Sequence, residues 1–212
     1  MAKKKESYFW TSYSDLMTSL FFVMLILFII VIVILHKGME ATEAQLQAIK
    51  EVVNSTEELN HSQHYEYRPD YKKYVLKIQV RYPTGKSNIN EIIAEDKEQQ
   101  LNNLAEAGRE IQRFLQSHPN YQYILIIEGQ ASLDNYRLNY ELSYERALAL
   151  MRFWVNDRNI KFGKNCEILI SGSGDGTLDT HSMRENSEED NQRFLIHILP
   201  KNIIEDEKPA NQ

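Results

Sequence analysis

One carboxylate, Asp15, stands at the mouth of a run, Leu16 to Leu35, that carries no charged residue. An ionised Asp at membrane depth costs on the order of 3 kcal/mol, so such residues face a protein interior or a water-filled path. Thr18 and Ser19 follow three and four residues later on the same helix face, where their hydroxyls can solvate or relay an ion. Desolvation disfavours the charged form of a carboxyl, and one elementary charge crossing the membrane field is worth about 2.3 kcal/mol per 100 mV. A carboxylate that is alternately neutralised and exposed can therefore bias a conformational step. One helix cannot enclose such a path, so this chemistry requires partner helices. The competing reading is that Asp15 snorkels to the nearby interface and moves nothing.

The element that positions Asp15 is a helix. The uncharged run is long enough to cross about 30 Å of hydrocarbon at about 1.5 Å per residue. A cleaved signal peptide fits less well: the run exceeds an ordinary h-region, and Leu35-His36-Lys37-Gly38-Met39 offers no small-x-small cleavage site. Lys3, Lys4 and Lys5 precede the run, whereas Lys37 stands alone after it and Glu40 and Glu43 follow. The positive-inside bias puts the N-terminus in the cytoplasm and the remainder across the membrane. Tyr8, Trp10 and Tyr13 suit the interfacial aromatic belt. The expected organisation is a cytoplasmic N-terminus and helix start (1–15), a transmembrane helix (16–35), a helical spacer and linker (36–73), a globular domain (74–201) and a flexible tail (202–212).

Within the spacer, Thr42, Leu46, Ile49, Val53 and Thr56 form a thin seam at alternating steps of four and three, compatible with a weak pairing to a second copy or with a solvated helix. A helix placed directly after the membrane segment also suits a plug over an ion path, spanning residues 39–60. Residues 61–73, with Pro69 as breaker, read as linker. Strands are expected at 74–82, 121–130, 166–174 and 192–199, and helices at 95–117 and 139–157. Strand 192–199 alternates Phe194, Ile196 and Ile198 with Leu195 and His197, which suggests contact on both faces. The β-α-β-α-β-β order predicts an α/β (α+β) domain with a mixed sheet and helices on one face.

Other chemistries find little support. With 212 residues and a formal net charge of −6, the acidic balance disfavours a nucleic-acid partner. "SGSGDG" (171–176) lacks the Lys-Ser/Thr of a phosphate loop. His61 and His64 have no second ligand pair, so no metal site is expected. The one cysteine, Cys166, excludes an intramolecular disulfide and reads as a buried strand thiol without a nucleophile partner. No enzyme activity and no bound cofactor are expected, and the only small species implied is a transported H+ or Na+.

"FWTSYSDLMTSLFFVM" (9–24) resembles the start of the B subunit of MotA/MotB-type ion-driven stators, in which an aromatic-x-x-x-Tyr-x-Asp-x-Met-Thr pattern precedes the single membrane helix. Here those positions are Trp10, Tyr13, Asp15, Met17 and Thr18. The resemblance implies that Asp15 carries the ion, and that the helix sits as a homodimer inside a ring of multi-pass MotA/ZorA-like A subunits. "EGQASLDNYRLNYELSYERALAL" (128–150) resembles the OmpA-like peptidoglycan-binding motif Asn-x-x-Leu-Ser-x-x-Arg-Ala, at Asn139, Leu142, Ser143, Arg146 and Ala147. "VRYPTGKSNI" (80–89), "GSGD" (172–175) and "NQRFLIHI" (191–198) resemble its other segments. In the last of these, Gln192 replaces the first Arg of a pair and Arg193 keeps the second. The implied wall-binding residues are Asn139, Arg146, Asp134 and Arg193, with peptidoglycan as partner and the domain in the periplasm. The family's Asp after the glycine matching Gly129 is missing; Ser132 stands there, and Asp134 is the substitute within reach.

Within the family, Phe9-Trp10-x-Ser12-Tyr13-x-Asp15-Leu16-Met17-Thr18 is most similar to ZorB-type subunits of the Zorya anti-phage system, ahead of flagellar stators. A passive single-pass wall tether is the rival of a different kind. A TolR/ExbD-like energiser also has one membrane Asp, but the OmpA-like motifs count against it.

Overall fold

The computed structural model describes residues 3–56, 59, 61–178 and 182–201, with the backbone alone for 3–9 and for several positions in 41–60. The expected tail, 202–212, lies outside them. The chain divides into two compact units, Met1–Ala48 and Ile49–Gln212.

Helix α1 runs Lys3–Thr56 without a break. Its stretch Trp10–Glu40 is long and apolar enough to cross a membrane. Side chains along this stretch are exposed, from Leu16 to Leu35 and beyond. An all-round apolar surface of this kind needs lipid or other helices around it. Trp10 and Tyr13 meet edge to face at 6.3 Å between ring centres. Of the expected seam, Leu46 is exposed; the side chains of Thr42, Ile49, Val53 and Thr56 lie outside the described residues, as does that of Tyr8.

The second unit has a mixed α+β fold. Strands β1 (Tyr65–Arg68), β2 (Lys73–Leu76), β3 (Tyr123–Gly129), β4 (Cys166–Gly172) and β5 (Phe194–Pro200) form one sheet in the order β1-β2-β5-β3-β4. Only β3 and β4 run parallel. Helices α2 (Lys97–Ser117) and α3 (Asn139–Arg152) share one core cluster with Tyr123, Leu125 and Ile127 of β3 and Phe194, Ile196 and Ile198 of β5. The expected order is thus present as β2-α2-β3-α3-β4-β5, with one further strand ahead of it.

That further strand lies in the segment expected as linker. Tyr65 and Tyr67 are strand-favouring aromatics, and Tyr65 is buried with its hydroxyl donating to Ala107 O at 2.8 Å. Pro69 breaks no domain connection; it opens the β1–β2 turn, which closes through Lys72 at φ 52°. The strand expected at 74–82 ends at Leu76. Beyond it Val80 and Tyr82 still point into the core, but the backbone leaves the sheet and makes only an isolated bridge, Arg81 to Ile93.

Helix α2 starts on Asp96, whose carboxylate accepts from Gln99 N at 2.9 Å, one residue after the expected Glu95. Its end is gathered by Asn165, whose Nδ2 lies 3.2–3.3 Å from the carbonyls of Leu115, His118 and Tyr121. The helix expected at 139–157 is α-helical only to Arg152; its last turn widens to a π segment, Phe153–Asp157. That turn carries Trp154 fully into the core, where Nε1 donates to Leu104 O at 2.7 Å.

The other face of the sheet is partly covered. Leu195 is buried with Val75 and Met183, as the alternation of β5 suggested. Beside it Glu128 accepts from Lys73 Nζ at 3.0 Å and lies 2.6 Å from His197 Nε2. Burial pushes the Glu128 carboxyl up, but His197 and Lys73 outweigh it and hold it at about 2. Because this value is below the ordinary 4.5, the stabilisation is present above about pH 4.5 and is lost as pH falls toward 2. We expect urea unfolding of the full chain to lose on the order of 3 kcal/mol over that window, and Glu128→Gln to flatten the dependence. An unchanged slope in the variant would contradict the assignment.

Candidate functional site

In the membrane-type helix the candidate residues are Asp15, Thr18 and Ser19. Asp15 is exposed on α1. Thr18 Oγ1 donates to Ser14 O at 2.7 Å and Ser19 Oγ to Leu16 O at 2.9 Å. Both hydroxyls therefore bond back to their own helix, which leaves their oxygen lone pairs as acceptors facing outward.

In the globular unit the site forms where α3 begins against the C-terminal ends of β3 and β4. This closeness depends on glycine. A Cβ on Gly129 would lie 2.0 Å from Ser143 O, and one on Gly174, which has φ +61°, would lie 2.6 Å from the Tyr140 ring. Ser143 Oγ accepts from Gly174 N at 2.9 Å, tying the loop after β4 to the helix. Two loops therefore converge on the first turn of α3.

Asn139 links those loops. Its Nδ2 donates to Asp134 Oδ1 and to Asp175 Oδ2, each at 3.2 Å, and the residue is 2% exposed. Asp134 also accepts from Tyr136 N at 2.8 Å. Burial pushes the Asp175 carboxyl up, but the Thr177 hydroxyl and amide and Asn139 outweigh it and hold it low. Asn139 is thus a clasp, buried beneath the site.

Arg146 lies two turns further along α3. Its Nε donates to Lys86 O at 3.0 Å, and its guanidinium sits over the Tyr82 ring at 4.5 Å. Among the described residues no hydrogen bond is made from its two terminal nitrogens. Burial pulls its proton affinity down, while Tyr82, Asp134 and Tyr136 act against that; a guanidinium stays charged regardless. The Tyr82 phenol is pushed far up by burial, with Arg146 drawing it down, so it stays neutral. The arrangement can clamp a carboxylate in bidentate fashion, with Asp134 near enough to receive a positive group.

Ser132, at the position of the missing family Asp, accepts from Gln192 Nε2 at 3.2 Å, and Gln192 Oε1 accepts from Tyr82 N at 3.0 Å. A neutral hydrogen-bonded link thus joins Ser132, Gln192 and the Tyr82 backbone. Of the four wall-binding candidates, Asn139, Asp134 and Arg146 come together. Arg193 belongs to a different set: its Nε donates to Gln130 Oε1 at 2.8 Å, Nη1 to Glu185 at 2.9 Å and Nη2 to Met183 O at 3.3 Å. It fastens the 183–193 segment to β3.

Tyr82, Tyr136 and Asp175 were not singled out from the sequence. Tyr82 and Asp175 each sit in a stretch read for another purpose, a strand end and a glycine-rich loop. The Asp175-Gly176-Thr177 Asx turn was a usable signal.

His64 places Nδ1 2.9 Å from Glu110. One other expectation shifts. Cys166 is half-buried on β4 rather than enclosed; burial pushes its thiol up to about 11, so it is unreactive as a thiolate.

No family model matches the sequence, and no curated protein matches it. Solved structures similar to it include a MotB-like protein from Desulfovibrio vulgaris (14% identity, 75% of this chain and 96% of that one, TM-score 0.43). The periplasmic domain of Helicobacter pylori MotB gives 12% identity over 64% of this chain and 80% of that one, TM-score 0.41. The peptidoglycan-associated lipoprotein from Burkholderia pseudomallei gives 18% over 57% and 88%, TM-score 0.35.

The clasp has a measurable weight. Asn139→Ala leaves two carboxylates short of a donor, and we expect a loss of about 1–3 kcal/mol in chemical unfolding. Hydrogen exchange should quicken in 132–138 and 173–178, and unchanged exchange in both loops would contradict the clasp.

Proposed function

We propose that this chain is the B subunit of an inner-membrane, ion-driven stator complex, in which Asp15 carries H+ or Na+ and the globular unit anchors the complex to peptidoglycan. The single observation that carries the reading is the pairing, on one chain, of a carboxylate at the mouth of a membrane-length helix with a buried arginine poised for a ligand carboxylate. In this reading two copies of α1 sit inside a ring of multi-pass MotA/ZorA-like subunits, with the N-terminus cytoplasmic and residues after the helix in the periplasm. Partner helices supply the enclosure that α1 lacks. The chain is then a motor subunit, neither an enzyme nor a nucleic-acid binder.

At the wall, Arg146 takes the free carboxylate of a stem peptide and Asp134 its neighbouring ammonium. Asn139 holds Asp134 in place, and Arg193 supports the loop behind. The sequence around Asp15 favours the ZorB type, active in Zorya anti-phage defence, over the flagellar type. Neighbouring genes separate the two: nucleases or helicases accompany defence, rotor and filament genes accompany motility. Residues 39–60 act as a plug until the motor is engaged.

A passive wall tether draws support from one observation, that the Thr18 and Ser19 hydroxyl protons are spent on their own helix. The two readings part on Asp15→Asn. In a host expressing this chain with its multi-pass neighbour, the motor reading predicts that phage protection is abolished by the substitution at matched membrane levels. Retained protection would exclude ion-driven work at Asp15 and leave the tether.

A further inference from the structure

The sheet ends in two edges that are built differently. β1, at one edge, has four residues, carries Glu66 and Arg68 and runs straight into Pro69. Charges, brevity and proline are the usual protections of an edge. β4, at the other edge, has seven residues, Cys166–Gly172, no proline and one charge, Glu167, which lies 2.8 Å from Lys201 Nζ. It is paired on one side only, with β3.

Register fixes which backbone groups are left over. Tyr123 N donates to Asn165 O and Ser173 N to Gly129 O. Odd-numbered residues of β4 therefore turn their peptide groups toward β3, and Cys166, Ile168, Ile170 and Gly172 turn theirs outward. Among the described residues, no hydrogen bond reaches those outward groups. Ile168 and Ile170 lie half-buried at the border of the core, and Leu169 is 42% exposed on the opposite face.

We propose that β4 pairs with β4 of a second copy of this chain, antiparallel about a two-fold axis at Leu169, joining two five-stranded sheets into one. In that register Ile168 faces Ile170 of the second copy and Cys166 faces Gly172, so the outward N–H and C=O groups meet one another. Leu169 faces itself at a close, non-hydrogen-bonded position, with Cα atoms about 4.5 Å apart. Each Glu167 lies opposite Ser171, and no like charges meet. Shifting the axis to residue 167 would bring the two Glu167 side chains together, and shifting it to 168 or 170 would leave strand residues unpaired. The apolar layer at Ile168 and Ile170 continues across the junction. This contact is independent of what Asp15 does, and confinement of two copies to one bilayer raises their effective concentration for it.

The test uses the full chain in proteoliposomes, with Cys166→Ala as background. Leu169→Cys should form a disulfide-linked dimer under mild oxidation at least about tenfold faster than Glu66→Cys on the protected edge, as a close cross-strand pair would. Equal rates would overturn the proposal. Sedimentation of the detergent-solubilised chain with Leu169 intact gives a second readout. Ser171→Lys, opposite Glu167, should tighten the dimer by about threefold and Ser171→Glu should weaken it by about as much. Identical dimerisation of both would exclude this register.

Discussion

The contact on which the rest of the globular unit depends is the approach of α3 to the ends of β3 and β4 without any intervening side chain. Gly129 leaves room for Ser143 O, and Gly174 leaves room for the Tyr140 ring. At normal packing distance the helix would stand further off, and Asn139 would no longer reach Asp134 and Asp175 together. Arg146, carried on the same helix, would lose its seat between Lys86 O and the Tyr82 ring. Small residues at the strand ends therefore set the position of the charged one. A buried guanidinium is tolerated because Nε is hydrogen-bonded and the ring beneath it offers a negative face.

The membrane helix poses the opposite problem. Its described side chains from Leu16 to Leu35 are exposed, and Asp15 has hydroxyl neighbours that are already engaged with the helix backbone. An apolar rod with one carboxylate is an incomplete device, finished only by lipid and other helices. In the proposed stator, the A-subunit ring and a second copy provide that surround, and the wall-bound unit provides the fixed point against which work is done. β4 edge pairing would add a contact between copies in the globular unit.

Much of this was legible in the sequence, for physical reasons that differ from element to element. The membrane helix declares itself by an uninterrupted apolar run, and α2, β3 and β5 by strong periodicity. β1 was hidden because its buried residue, Tyr65, is a tyrosine set among polar neighbours, and because Pro69 looks like a boundary when it is a turn. The strand expected through Tyr82 fails because alternation reports burial of Val80 and Tyr82, not pairing of their backbone. At the site, Asn139 and Arg146 followed from a motif and Asp134 as the substitute for a missing motif residue, whereas Tyr82 contributes through its ring and Lys86 through a carbonyl, which no side-chain pattern reveals. Arg193 shows the converse: a motif arginine whose three bonded nitrogens are turned inward.

The central claim joins a membrane carboxylate to a wall-anchored domain, and the anchor is the part open to the most direct measurement. Co-sedimentation of the detergent-solubilised full chain with purified peptidoglycan sacculi would be compared for wild type and Arg146→Ala, with unfolding midpoints recorded for both. The account predicts that the wild type pellets with sacculi and is displaced by a free stem peptide, and that the variant, still folded, loses at least about tenfold in affinity. Equal binding by the folded variant would contradict Arg146 as the wall contact and, with it, the anchored half of the motor.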